Sequence, residues 1–269
     1  MIKSKCKLCG SKKGKEILNI SDYKDTYLDY MNIDYRGSDR YYKQCDSCGF
    51  IYRNTYLTDK EKESLYKCFR DQDLRHETHE EYFERISNMS NDSSENFEKY
   101  SFLNSFLESS GSHMDVGGGL GVFCYGFQKY FKEWNSVCVE PNDGANIVAE
   151  NHGIRTYNQY LTEDTTIVGN NFDLITANHV VEHVDNPVMF LKILKKFVAE
   201  TGFIYIEMPS SLDIGFLDNS HDRFMCQHEV IYDNKSVDTI AKKAGLKVLY
   251  NDNYFSKRGR NNVRSILVK

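Results

Sequence analysis

An α/β fold with a mostly parallel sheet, helices on both of its faces and a small cysteine-stapled module in front follows from three features of the 269-residue sequence. Strand-like and helix-like apolar patterns alternate from Gly111 onward, a glycine-rich turn joins the first of these strands to the first helix, and two short cysteine motifs lie near the start. Alternation of this kind packs helices against strands that run side by side, and such sheets bind ligands beyond the carboxyl ends of their strands.

In chain order, Cys6-x-x-Cys9-Gly10 and Cys45-x-x-Cys48-Gly49 repeat one motif, with 35 residues between Cys9 and Cys45. Two thiolates on a tight turn face one ion, so two such turns supply the four sulfur ligands of a structural zinc site: Cys6, Cys9, Cys45 and Cys48. A zinc-binding module over residues 1–56 is expected, because so short a segment has too little core to hold itself without a staple. Within it "YYKQCDSCGFIYRN" reads as strand, knuckle, strand. Cys68, Cys124, Cys138 and Cys226 stand alone and are expected to be small buried hydrophobes.

Thr58-Asp59-Lys60-Glu61 has the form of a capping box at the head of a charged helical segment. After the polar break "SNMSNDSSEN", a second helix is expected through Phe97, Phe102, Leu103, Phe106 and Leu107. Residues 57–110 thus read as a helical linker or cover. Residues 111–269 form the main domain, with strands predicted at 113–116, 136–139, 154–157, 172–176, 203–207, 246–250 and 263–268. Helices are predicted at 121–130, 143–151, 187–198 and 234–243. The last two strands lack a good helix between them and are expected to close the sheet as an antiparallel hairpin.

Asp115-Val116-Gly117-Gly118-Gly119-Leu120-Gly121 ends the first of these strands and opens its helix. Gly117 and Gly119 let the backbone pass close to a ligand, while Gly121 lets the helix start pack on the strand. Glu140, 19 residues past Gly121 at the end of the second strand, is placed to accept hydrogen bonds from both hydroxyls of a ribose. A dinucleotide-binding loop shares these features.

The motifs "DVGGGLG", "VCVEPN" and "FDLITANHVVEHVDNP" resemble, in this order and spacing, those of class I S-adenosylmethionine-dependent methyltransferases. The resemblance covers about residues 100–269 and implies a Rossmann-like, seven-stranded fold with S-adenosylmethionine as cofactor. It implies that Asp115, Gly117 and Gly119 hold the methionine part of the cofactor and Glu140 the ribose, with the adenine near Pro141, Asn142 and the 158–161 loop. Asn178 and His179 would complete the cofactor site. The paired knuckles and helical linker resemble the zinc module of sugar C-methyltransferases acting on nucleotide-linked deoxysugars. More broadly, the layout is similar to methyltransferases of bacterial surface (capsular) polysaccharide biosynthesis. Those C-methyltransferases usually carry a further C-terminal domain without a counterpart here, so oxygen is the expected acceptor atom and carbon the alternative.

Methyl transfer from a sulfonium requires an aligned acceptor and, for a hydroxyl, a proton acceptor. Two clusters are candidates. Asn178, His179, Glu182 and His183 follow the fourth strand. His179, Glu182 and His183 fall at i, i+3 and i+4, and related quinone-pathway O-methyltransferases can use a divalent cation at such a spacing. The expected role of Glu182 and His183 is nevertheless to satisfy backbone groups, with metal binding the alternative. The second cluster, "NSHDRFMCQHEVIY", carries His221, Asp222, Arg223, His228 and Glu229. It corresponds to a segment that supplies the base in sugar C-methyltransferases, although Gln227-His228-Glu229 departs from their order. His228 is the expected general base and His179 the next candidate, with Glu229 and His221 as further catalytic candidates.

Arg70, Arg75, Tyr82 and Arg85 on the linker helices could meet a cofactor carboxylate or a phosphate, or form a solvated face. The basic stretch "SKRGRNNVR" could meet a nucleotide diphosphate or form a hairpin turn. A net charge of -5 and a pI near 5.9 give no global attraction to nucleic acid or anionic membrane. An rRNA base methyltransferase with a zinc ribbon is the alternative kept open by the lysines between Lys3 and Lys15. No apolar run approaches the roughly 20 residues of a membrane span, and the N-terminus lacks a signal-peptide pattern. A cytoplasmic protein, with reduced cysteines, a small-molecule acceptor and a homodimer as one assembly, is the expectation.

Overall fold

The computed structural model describes residues 1–68, 72–89, 91–168, 171–217 and 221–269. Its N-terminal part contains β1 (Ile2–Lys3), β2 (Gly14–Asn19), α1 (Thr26–Tyr30), β3 (Tyr41–Cys45), β4 (Ile51–Arg53) and β5 (Thr55–Tyr56). The linker contains α2 (Asp59–Cys68), α3 (Gln72–Arg75), α4 (His79–Ser87) and α5 (Glu95–Leu103). The main domain then runs β6 (Gly111–Val116), α6 (Val122–Tyr130), β7 (Trp134–Val139), α7 (Asp143–Asn151), β8 (Arg155–Tyr157), β9 (Phe172–Asn178), α8 (Pro187–Phe197) and β10 (Val198–Pro209). It ends with β11 (Val230–Ile231), α9 (Asn234–Ala244), β12 (Lys247–Phe255) and β13 (Asn261–Val268).

The main sheet is seven-stranded, ordered β8-β7-β6-β9-β10-β13-β12. Strands β8, β7, β6, β9 and β10 pair in parallel, and β13 is antiparallel to both β10 and β12. The chain moves outward from β6 to β8 and returns to the other side of β6 at β9. That reversal opens a crevice at the carboxyl ends of β6 and β9, where ligands of such sheets lie.

Local chemistry explains the helices that flank this crevice. Asn186 caps α8 by accepting from the Met189 N–H at 3.0 Å, Pro187 opens the helix, and Phe190, Leu191, Leu194 and Phe197 form its buried stripe. Helix α9 starts at an Asp233–Ser236 capping box. The Thr58–Glu61 capping interaction is present as well, with the Thr58 N–H donating to Glu61 at 2.7 Å and the Glu61 N–H to Thr58 at 3.3 Å.

The expected linker helix is interrupted after Arg75, where His76 has φ +54°, before α4 begins at His79. Helix α4 lies against the main domain: Phe83, 1% exposed, packs with Leu120, Val122, Ala145 and Val148 and stacks on His152 at 3.7 Å. Burial of this one ring contributes roughly 1.5–3 kcal/mol.

The N-terminal module is joined to the main domain through a shared sheet, which the sequence reading did not anticipate. Strand β11, from the far side of the main domain sequence, pairs antiparallel with β4 in a four-stranded sheet ordered β11-β4-β3-β2. No helix is long and apolar enough to cross a membrane among the described residues.

Candidate active site

The carboxyl ends of β6, β7, β9 and β10 converge on the crevice and carry its polar groups. Asp115 is buried at the end of β6; it accepts from the Thr176 hydroxyl, and from Asn178 Nδ2 at 3.5 Å. Since Thr176 donates to Asp115, His113 Nε2 at 2.8 Å must donate to Thr176, leaving Nδ1 to accept from the Ser136 hydroxyl at 2.9 Å. Burial lowers the pKa of His113 to about 3, consistent with this neutral tautomer. A relay across three adjacent strands therefore fixes the Asp115 carboxylate. Burial also raises the pKa of Asp115 to about 7, with Thr176 and Asn178 opposing the shift. Asn178 Oδ1 is a buried acceptor with no hydrogen-bond partner among the described residues.

The glycine loop leaves no room for side chains at Gly117 and Gly118. Gly117 has φ +70°, and a Cβ there would lie 2.7 Å from Val180 Cγ2. A Cβ at Gly118, which the sequence pattern treats as a spacer, would lie 2.6 Å from Cys138 Sγ and 2.7 Å from Asp115 Oδ2. Gly118 is therefore restricted by its surroundings as Gly117 is. Glu140 Oε2 accepts the Gly119 N–H at 3.0 Å and Oε1 the Asn142 N–H at 3.1 Å. These bonds tie the ends of β6 and β7 together and hold the carboxylate beside the loop. Pro141 follows directly, and Asn142 caps α7 through Ala145 N–H at 2.9 Å.

His179 has φ +55°, a left-handed conformation uncommon outside glycine and enriched at functional sites. Its Nδ1 lies 3.3 Å from Glu182 and its Nε2 3.3 Å from Glu207. Burial opposes charge on this ring, but the two carboxylates outweigh it and raise the pKa to about 9. Glu207, at the end of β10, also meets Lys99 Nζ at 3.1 Å and accepts from Asn262 Nδ2 at 3.0 Å. Burial alone would raise its pKa; the charges of Lys99 and His179 reverse this and hold it well below the carboxylate range. Lys99 and Glu207 were not picked out from sequence. A lone carboxylate ending the apolar run "FIYIEMP" was the available signal.

The structure also gathers Glu182, His183 and His228, whose donor atoms lie within 4.8 Å of one another. The rings of His183 and His228 are stacked at 5.4 Å. His183 Nδ1 meets the Gln227 carbonyl at 3.1 Å, and His228 Nδ1 meets the carbonyls of Asp222 and Arg223 at 3.2 and 3.1 Å. Burial, with His183 nearby, lowers the His228 pKa to about 3. His183 thus satisfies a backbone group as expected. Glu182 does not: it is 1% exposed and neither carboxylate oxygen has a hydrogen-bond partner among the described residues. His179 sits at ion-pair distance from it, outside hydrogen-bond geometry.

The remaining candidates have these partners. Glu229 is buried against the N-terminal module, accepting the Leu57 N–H at 2.8 Å and pairing with Lys7 at 2.8 Å and Lys62 at 3.4 Å. His221 Nδ1 accepts the Arg223 N–H at 3.1 Å and lies 3.1 Å from Asp222. Arg223 is a buried strut, donating to the Ser210 and Asn261 carbonyls at 3.0 and 2.9 Å. Arg85 pairs with Glu77, its Nε at 2.6 Å and Nη2 at 2.8 Å, and stacks over Tyr82; Arg75 donates to Tyr27. Arg70 lies outside the described residues. In the basic hairpin, Lys257 donates to Asn91 and Arg260 to Asp222, while Arg264 pairs with Asp252.

The two knuckles meet, with Cys6 Sγ 3.6 Å from Cys48 Sγ and Cys9 Sγ 3.5 Å from Cys45 Sγ. Tetrahedral zinc with sulfur at about 2.3 Å spaces its ligands about 3.8 Å apart, so the donor set fits. Gly10 and Gly49 N–H groups close the turns onto the Cys6 and Cys45 carbonyls, both at 2.8 Å.

The model of a methyltransferase-domain family matches residues 74–251. Among solved structures, the plantazolicin methyltransferase BpumL in complex with S-adenosylhomocysteine shares 12% identity, covering 77% of this chain and 98% of that one, with a TM-score of 0.55. Coclaurine N-methyltransferase, bound to N-methylheliamine and S-adenosylhomocysteine, shares 11% identity over 68% of this chain and 74% of that one, at a TM-score of 0.53. A SAM-dependent methyltransferase from Aquifex aeolicus shares 17% identity over 70% and 98%, at 0.51. No curated protein matches the sequence. The glycine loop at the switch point, the buried acceptors around it and the family match over most of the main domain lead to one conclusion: the chain belongs to the methyltransferase-domain family and is an S-adenosylmethionine-dependent methyltransferase.

Proposed function

We propose that the enzyme methylates a hydroxyl of a small polar acceptor, a nucleotide-linked sugar or another precursor of a surface glycan. The observation that carries this reading is the placement of the His179–Glu182–His183–His228 cluster beside the glycine loop: Val180, between these residues, is the side chain a Gly117 Cβ would strike. This contact supports a reading in which cofactor and proton-handling groups share one crevice.

Asp115 and the orphan Asn178 Oδ1 are suited to the ammonium of the methionine part, and Glu140 to the ribose, because each carboxylate oxygen can accept more than one hydrogen bond. When bound, S-adenosylmethionine supplies an electrophilic methyl group, which leaves the protein to orient the acceptor and take up a hydroxyl proton. His179 is already charged between Glu182 and Glu207, so it orients and balances charge. His228, neutral and with Nδ1 held by carbonyls, offers its other ring nitrogen for the proton, with Glu182 beside it to balance the charge.

The cysteine module holds zinc as a structural ion and braces the acceptor segment: the Tyr42 hydroxyl donates to the His228 carbonyl, and the Arg53 N–H to the Glu229 carbonyl at 2.9 Å. The sugar-nucleotide assignment rests on the resemblance of this layout to sugar methyltransferases, and the acidic charge of the chain speaks against RNA as the acceptor.

Release of S-adenosylhomocysteine is to be measured with a panel of nucleotide-linked sugars beside unmodified rRNA. Turnover on a sugar nucleotide, reduced about 100-fold or more in His228→Ala with cofactor affinity intact, is expected for loss of a general base. Turnover on RNA alone would overturn the acceptor class.

A further inference from the structure

We infer that Glu182, His183 and His228 form a second metal site, distinct from the four-thiolate site, that takes one divalent ion of the zinc, iron or cobalt type. The three side chains come from two segments far apart in sequence, and their donor atoms lie within 4.8 Å of one another. Three independent features point to an ion rather than a chance cluster.

The first is Glu182, a fully buried carboxylate with both oxygens lacking a hydrogen-bond partner among the described residues. The His179 ring, 3.3 Å from Oε1, balances part of its charge, but the hydrogen bonds or metal contacts that a buried carboxylate needs are still unmade. The second is the orientation of both imidazoles. Backbone carbonyls at Nδ1 fix the tautomer of His183 and of His228, so that Nε2 carries the lone pair in each. This is how metal-ligating histidines are usually held. His183 Nε2 lies 4.0 Å from Glu182 Oε1. The third is access: both histidines are partly exposed while Glu182 is not, which gives an ion a path in.

Donors at about 2.1 Å around a tetrahedral ion stand about 3.4 Å apart, so small side-chain rotations close the set. Two imidazoles and one carboxylate favour borderline transition ions over magnesium or calcium, and three protein ligands leave a coordination position open. His179, named with Glu182 and His183 in the sequence reading, instead bridges Glu182 and Glu207 as a counter-charge. The use of the ion rests on the methyl-transfer reading: in the loaded enzyme His228 would be a ligand rather than the base, and the ion would orient the acceptor hydroxyl at its open position and lower its pKa, so that the proton passes to solvent water as the oxygen takes the methyl group.

The test is Co2+ titration of the full chain carrying one equivalent of zinc in its thiolate site, read by visible absorption and by metal analysis. One further equivalent of Co2+ is expected, with ligand-field bands but no thiolate charge-transfer band. Glu182→Gln and His228→Ala should each weaken it at least 10-fold while the zinc equivalent and the folded circular-dichroism spectrum persist. Absence of a second equivalent in the unmodified protein would overturn the proposal, as would undiminished Co2+ binding in both folded variants. Neither cofactor nor acceptor is present, so failure here is separable from failure of the methyl-transfer reading.

Discussion

Replacing Glu229 separates a structural role from a catalytic one. Its carboxylate faces Lys7, and the two side chains are 4% and 5% exposed. Oε1 also accepts the Leu57 N–H at 2.8 Å, and Lys62 stands 3.4 Å from Oε2. Glu229→Ala strands a buried ammonium and a backbone donor. Loss of one partner of a buried pair costs about 3–5 kcal/mol, and an orphaned buried donor about 1–3 kcal/mol. The two overlap, and Asp185, 3.2 Å from Lys7 but 65% exposed, gives partial relief. A net loss of about 3–5 kcal/mol is therefore expected, a large part of the usual 5–15 kcal/mol, and a fall in Tm of roughly 10 °C. Thermal and urea unfolding measure it, alongside S-adenosylhomocysteine affinity, which should stay within about twofold below the transition. Unchanged stability with turnover reduced about 100-fold would exclude the structural role and return Glu229 to the acceptor site.

Glu140→Gln must turn an amide N–H₂ toward either the Gly119 or the Asn142 N–H and lose charge at the ribose, so calorimetry should show S-adenosylhomocysteine binding weakened by about 1.5–3 kcal/mol. Asp115 has a folded-state pKa raised from 3.8 to about 7, so its contribution to cofactor-free stability is full below about pH 4 and is lost as the pH rises through 7. Urea midpoints of the parent relative to Asp115→Asn should accordingly fall between pH 4.5 and 7.5; a flat difference removes the burial argument. Replacing Cys45 and Cys48 together by serine should leave a misfolded chain, detected by loss of the cooperative melt, because the knuckles anchor the sheet that β11 completes. A double variant with normal stability would contradict a structural zinc role.

The parallel sheet, its glycine loop and the closing hairpin were legible because period, punctuation and motif agree locally. Asp143–Asn151 and Pro187–Phe197 carry their own caps and apolar stripes, so neighbouring segments had little to override. What escaped is what only tertiary pairing creates. Val230–Ile231 is too short to announce itself and becomes a strand by bonding to Ile51 and Tyr52. Glu229 looks catalytic beside His228, yet the alternation of an extended chain turns it to the opposite side, toward Lys7. Lys99 and Glu207 meet across more than a hundred residues, a pairing that no local spacing encodes. His228 joins Glu182 and His183 for the same reason.

A co-crystal structure with S-adenosylhomocysteine locates the cofactor. The ribose hydroxyls are expected on Glu140, the amino group of the methionine part against Asp115 and Asn178, and the sulfur facing the His179–His228 cluster. A nucleoside bound away from the 115–121 loop, or a sulfur facing away from that cluster, would contradict this placement.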